Sequence, residues 1–352
     1  MHRLRLLQWL LPGALVACAH GGRPPSTVRA VVPTAVIAAQ DAAPTAASAP
    51  ALAAVELLDI DAPAFAPDPV RIAVHLPAGY DPAGSRRYPV VYLNDGQDAV
   101  AVDLQPTLAR LHARGLIHPV IVVAIHMLPD RMGTYGLSDR AAARSLAADT
   151  RHGRVGARAH EYSEWVAKSL VPHIDARYRT LRSAGSRAVL GWSLGALNAF
   201  TLGWQYPELF GRVGAFSPSL WLSSQRADAA AVQQSRLAQA MVGRSEPRPG
   251  LKLFFAVGSA EETDDRDGDG INDAVDDTRD LILGYGGGAD PAVRGLAQLG
   301  YSTNLDHASR PTRADVALLL LEAGEHNQAS WARMLPAFLR WAYGRHAPVP
   351  AR

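Results

Sequence analysis

The chain has 352 residues, 48% of them apolar and 19% charged. That is enough to bury a sizeable core, and no block of one sign suggests a nucleic-acid surface. Its 35 basic residues face 33 acidic ones, and without Arg3 and Arg5 of the leader the two counts are equal, so nothing points to electrostatic capture of a polyanion.

The first twenty residues, "MHRLRLLQWLLPGALVACAH", have a basic start and an apolar stretch over 6–17. This is the layout of a secretory signal and is too short to span a membrane. "LVAC" at 15–18 resembles a bacterial lipoprotein lipobox. It implies a signal peptide over 1–17 and a lipidated Cys18 that anchors the protein in the cell envelope. The plainer alternative is an ordinary signal peptide cleaved nearby. Cys18 is the only cysteine, which excludes an internal disulfide. Residues 18–52 are rich in Ala, Pro, Thr and Ser and read as a flexible tether.

The remainder, 53–346, reads as one domain. Residues 55–60 and 71–77 have the part-alternating pattern of strands near a sheet edge. Continuous apolar runs at 88–95, 119–127, 187–191, 212–217, 251–258 and 316–324 predict strands buried on both faces of a parallel sheet. Helical spacing covers 101–114, 160–178 with an interruption at Pro172, 195–204 and 330–343. Alternating strands and helices predict an α/β fold with a mostly parallel sheet flanked by helices. Residues 128–159 show no period and are expected to be a long loop or lid beside the site.

Gly191-Trp192-Ser193-Leu194-Gly195 falls where a predicted strand meets a predicted helix. A nucleophile elbow needs that context, and the glycines relieve crowding at the turn. The alternative is a serine in a turn of small residues. A serine needs a base, and in this order of elements an acid and then a histidine should follow it. His326, just past a late strand, is the expected base. His75 in a strand and His173 on a helix read as structural, and His307 is a weaker rival. Glu261 is the expected acid and Glu262 the second choice, though a loop carboxylate is usually just solvated. The N–H groups of Leu194 and Gln97 are expected to hold the oxyanion.

Several ordered stretches, "VVYLNDGQD", "HIDARYRT", "GWSLGALNA", "AFSPSLW" and "AGEHNQASW", resemble the "putative esterase" family of α/β hydrolases. That family includes enterochelin esterases, feruloyl esterase domains of xylanases, S-formylglutathione hydrolase and mycolyltransferases. The resemblance spans roughly residues 70–345. It implies an α/β-hydrolase fold and a carboxylic ester hydrolase. The spacing of Gly258 and Glu261 matches the family's acid position, with Glu where Asp is common.

Residues 265–276, "DRDGDGINDAVD", depart from the family pattern. Asp265, Asp267, Asp269, the Ile271 carbonyl, Asp273 and Asp276 have the spacing of an EF-hand-like calcium loop. The competing reading is a disordered acidic loop. Calcium would be structural, and catalysis is expected to need no cofactor. The expected function is that of an exported serine esterase acting on a small-molecule or glycan-linked ester, with Trp192 and Trp221 lining or supporting the pocket. Rival readings are an acyltransferase on the same elbow and an inactive, calcium-stabilised surface binding lipoprotein.

Overall fold

The structure, a computed structural model, describes residues 54–345 apart from 263, 287–292 and 313. The expected signal segment, Cys18 and the tether lie outside the described residues.

The strands in chain order are β1 (Val55–Ile60), β2 (Val70–His75), β3 (Val90–Leu93), β4 (Ile121–Ile125), β5 (Leu137–Asp139), β6 (Arg144–Leu146), β7 (Ala148–Thr150), β8 (Gly153–Val155), β9 (Arg187–Trp192), β10 (Arg212–Phe216), β11 (Lys252–Gly258), β12 (Thr303–Asn304) and β13 (Val316–Leu321). Nine of them form one sheet in the order β1-β2-β4-β3-β9-β10-β11-β13-β12. Strand β2 pairs antiparallel with β1 and β4, and every other pairing in this sheet is parallel. This is the α/β-hydrolase arrangement.

The central strands are buried from end to end, as continuous apolar runs require. Alternate side chains feed two cores. Val90 and Tyr92 enter one with Leu197 and Phe200, whereas Val91 and Leu93 enter the other with Leu104 and Phe338. Each fully buried side chain of this kind contributes about 2–3 kcal/mol.

The helices are α1 (Leu104–Ala113), α2 (Arg131–Thr134), α3 (Ala159–Trp165), α4 (Val171–Arg177), α5 (Leu194–Gln205), α6 (Ala229–Gln234), α7 (Leu237–Gly243), α8 (Asp273–Leu283) and α9 (Gln328–Tyr343). All but the last residue of α5 are buried, so this helix is apolar on every side. A π-turn over Val166–Leu170 links α3 to α4 and accommodates Pro172, which has no N–H to continue the ladder. The segment 128–159 is not a structureless loop. It holds α2 and the antiparallel pairs β5–β6 and β7–β8. No helix among the described residues is long and apolar enough to cross a membrane.

Candidate active site

Strand β9 ends at Trp192, and Ser193 follows with a φ of 57° and ψ of −127° that are uncommon for a residue with a side chain. Helix α5 starts at once, and the Ser193 carbonyl accepts from Ala196 and Leu197 N–H at 3.1 Å each. A side chain at Gly191 would put its Cβ 2.4 Å from the Gly195 carbonyl oxygen, so strand and helix meet too closely for anything but glycine. The segment after β10 clamps the turn. Ser193 N–H donates to Phe216 O at 3.0 Å, and Ser219 N–H donates to Ser193 O at 3.3 Å. The hydroxyls of Ser193 and Ser219 lie 3.5 Å apart.

Strands β11 and β13 are parallel neighbours, with Gly258 opposite Leu321. The turns that follow them touch. A Cβ on Gly258 would lie 2.1 Å from Gly324 O. Ala260 N–H donates to that same oxygen at 2.8 Å, and Ser259 N–H donates to Leu321 O at 3.0 Å. This contact brings Glu261 Oε2 to 3.0 Å from His326 Nδ1. Glu261 is 6% exposed. Its Oε1 accepts from the Ser217 hydroxyl at 2.5 Å and from Gly258 N–H at 2.7 Å.

Glu262 lies instead among other carboxylates. Burial first, then Asp273, Asp264 and Asp277, push it up to about 7. The rival His307 packs edge-on against Phe254 with centroids 5.1 Å apart. His75 is buried against Gln105 at 2.8 Å, and desolvation, followed by the charge of His126, lowers it to about 4. His173 is exposed on α4.

Trp192 is 2% exposed, so it supports the site and does not line it. It stacks on Trp331 at 5.4 Å and donates through Nε1 to Asp98 Oδ2 at 2.9 Å. Trp331 meets the His326 ring edge-on at 5.4 Å and donates to Ser217 Oγ at 2.9 Å. Trp221 is half-buried, with the Arg226 guanidinium 5.7 Å from its ring centre.

Gln97 lies in the single turn Gly96–Asp98 that follows β3, and its side chain accepts from Met127 N–H at 3.0 Å. Asp95 before it has a left-handed φ of 56°. Its carboxylate takes two hydrogen bonds from Arg131, each 2.8 Å, and its N–H donates to Tyr135 OH at 3.1 Å. Asn94 reaches helix α5 by donating to Gly195 O at 2.9 Å and Asn198 Oδ1 at 3.1 Å, while Tyr162 OH donates to Asn94 Oδ1 at 2.9 Å. Leu194, whose N–H was expected at the oxyanion, is the first residue of α5.

Sequence reasoning missed Arg131 and Tyr135, because they lie in the segment without a period. Ser217 is visible in the sequence only as part of the stretch "AFSPSLW". The lone signal for Arg131 is an arginine in a stretch without period.

The acidic loop divides in two. Asp265, Asp267 and Asp269 bring carboxylate oxygens within 4.8 Å of one another at the surface. Asp265 also accepts from Gly268 and Gly270 N–H, and Asp269 from Ile271 N–H. The carboxyl of Asp276 is pushed up to about 6 by burial and then by Asp269 and Asp267, so it belongs to the same electrostatic group. Asp273 does not join them. Its oxygens accept from Arg266 N–H at 2.8 Å and pair with the Arg266 guanidinium at 3.2 Å. Its charge is met by an arginine. Asn272 caps α8 and returns to the acid turn, donating to Ser259 O at 3.0 Å.

The uncharacterized protein YbbA of Bacillus subtilis is 25% identical over 198 residues, covering 54% of this chain and 68% of that protein. An endo-1,4-beta-xylanase/feruloyl esterase of Xylanibacter ruminicola is 28% identical over 170 residues, 46% of this chain and 21% of that protein. The enterobactin esterase FES from Shigella flexneri matches in fold with a TM-score of 0.56 at 18% identity, covering 82% of this chain and 58% of its own. The chain thus spans about a fifth of the xylanase and just over half of FES. A family model described as "Putative esterase" matches residues 65–280, which is more than half of the sequence. By that match the chain belongs to the "Putative esterase" family, carboxylic ester hydrolases built on an α/β-hydrolase fold.

Proposed function

We propose that this chain is an exported serine esterase, with Ser193 as nucleophile, His326 as base and Glu261 as the acid that orients it. The observation that carries the reading is the Glu261–His326 pair at 3.0 Å on the turns beside the Ser193 elbow. Ser193 Oγ attacks the ester carbonyl carbon, and its proton passes to His326 Nε2. The N–H groups of Leu194 and Gln97 stabilise the oxyanion. Collapse breaks the bond to the leaving alcohol, which takes the proton from His326. Water then attacks the acyl-enzyme and gives a proton to His326; collapse breaks the bond to Ser193 Oγ, which takes that proton back, and releases the carboxylic acid.

The matches to a feruloyl esterase and an enterobactin esterase support a siderophore or carbohydrate-linked ester as substrate. The basic leader, the apolar stretch and "LVAC" support anchoring through a lipidated Cys18, facing the periplasm or on the outer membrane. Mass spectrometry of the N-terminal peptide, with Cys18→Ala as control, tests the anchor; an unmodified Cys18 would sink it.

The function test is turnover of a short-chain p-nitrophenyl ester by the full-length chain in detergent, beside Ser193→Ala. A burst and turnover lost in the variant are expected. Equal background rates would refute hydrolysis and leave acyl transfer or an inactive binding protein.

The Asp265, Asp267 and Asp269 cluster supports a structural calcium in the loop, with Asp276 as a further ligand. Saturating calcium at 100 times Kd should stabilise the fold by about 2.7 kcal/mol, and Asp267→Asn should abolish the gain. An unchanged melting temperature in millimolar calcium would remove the ion from the reading.

A further inference from the structure

We infer that Ser217 is a positioning residue of this esterase, holding Glu261 against His326 with its own hydroxyl oriented by Trp331. The inference rests on the triad reading above.

Ser217 is 2% exposed and has a left-handed φ of 46°, a conformation that persists in a serine only where its surroundings fix it. The fixing contacts come from three elements. Its N–H donates to Ala256 O on β11 at 2.7 Å. Its Oγ accepts from Trp331 Nε1 on α9 at 2.9 Å and donates to Glu261 Oε1 at 2.5 Å. Indole N–H is a donor only. Trp331 therefore occupies the acceptor side of the Ser217 oxygen and leaves the hydroxyl hydrogen directed at Glu261.

With the Gly258 N–H added, Glu261 Oε1 accepts two hydrogen bonds and Oε2 is left for His326 Nδ1. A carboxylate acceptor facing Nδ1 makes that nitrogen the donor. The lone pair then lies on Nε2, where the base needs it. The same short segment holds the nucleophile, because Phe216 O and Ser219 N–H bond the backbone of Ser193. Ser217 thus sits in a turn that touches both ends of the triad. An ordinary satisfied core hydroxyl would share its burial and bonding, and only coupling to Glu261 separates the two roles.

The test measures kcat and KM for p-nitrophenyl acetate with the full-length chain in detergent. The variants are Ser217→Ala, Trp331→Phe, Glu261→Ala and the two pairings with Glu261→Ala. Ser217→Ala should lower kcat about tenfold with KM within about twofold, as for loss of a hydrogen bond to a charged group. In the Glu261→Ala background the same change should have less than about a twofold effect, because there is no acid left to position. Ser217→Cys, a weaker donor of similar shape, should fall between serine and alanine. An undiminished kcat in Ser217→Ala, or an equal loss in both backgrounds, would overturn the inference. If Ser217→Ala does not fold, Trp331→Phe carries the test: a loss confined to the Glu261 background supports the inference and an equal loss in both overturns it. Ser193→Ala run alongside distinguishes the failures, since wild-type turnover there would overturn the triad itself.

Discussion

Arg131→Met removes the only ion-pair partner described for Asp95, a carboxylate 1% exposed beneath the turn that carries Gln97. Both Asp95 oxygens lose a 2.8 Å bond, and a 3.4 Å contact from Gln97 Nε2 remains. Removing one partner of a fully buried pair costs about 3–5 kcal/mol. The Arg131 side chain keeps 27% exposure, so water enters the vacated space, and about 2 kcal/mol is expected instead. For a chain of this length that is a fall of about 3 °C in melting temperature. The assay is thermal and urea unfolding beside kcat, which should fall as well because Asp95 sets the backbone just before Gly96 and Gln97. Asp95→Asn combined with Arg131→Met removes the unpaired charge and should recover at least half of the lost stability. A double variant as unstable as Arg131→Met alone would refute the reasoning, since the uncompensated charge could not then be the cause.

Glu262, pushed up to about 7 from 4.5 chiefly by burial, binds its proton more tightly in the folded chain than in the unfolded one. Its contribution to stability is therefore present below pH 4.5 and is lost as pH rises towards 7. In calcium-free buffer, Glu262→Gln should gain about 1–2 kcal/mol at pH 8 and little at pH 4.5; an equal gain at both would contradict this account. Gly191→Ala forces a Cβ to within 2.4 Å of backbone oxygen at Gly195, which has no flexible side chain to move aside. It should cost about 2–3 kcal/mol and nearly all turnover; wild-type melting and activity would show that the elbow is looser than described.

What the sequence reveals here depends on how local the cause is. The elbow is legible because the whole device spans five consecutive residues between a strand and a helix. The buried strands are legible because parallel-sheet positions need apolar residues on both faces, and the 187–191 run lies within β9. Edge strand β12 has two residues and carries no such pattern. Strands β5 to β8 have three residues each, too short for an alternating period to emerge. Glu261 and His326 could be placed by their distance beyond late strands. Glu261 is preferred to Glu262 by its spacing after Gly258, and the two turns bring it to 3.0 Å from His326. Asp95 with Arg131, and Ser217 with Trp331, pair across 36 and 114 positions, and nothing in either neighbourhood names its partner. Asp273 fits the calcium spacing, but the sequence does not show that the Arg266 side chain turns back to meet it.

The junction of Gly258 with Gly324 has a further consequence. The relative placement of Glu261 and His326 is framed by backbone contacts that end at Ala260, before the acidic loop begins. The loop leaves after that point and is fastened again by Asn272 on Ser259. An insertion at this place is therefore insulated from the chemistry. The chain can lengthen, shorten or exchange the loop while the Glu261–His326 pair keeps its spacing. Such an attachment point lets one hydrolase framework acquire new environmental tolerances without remaking its centre.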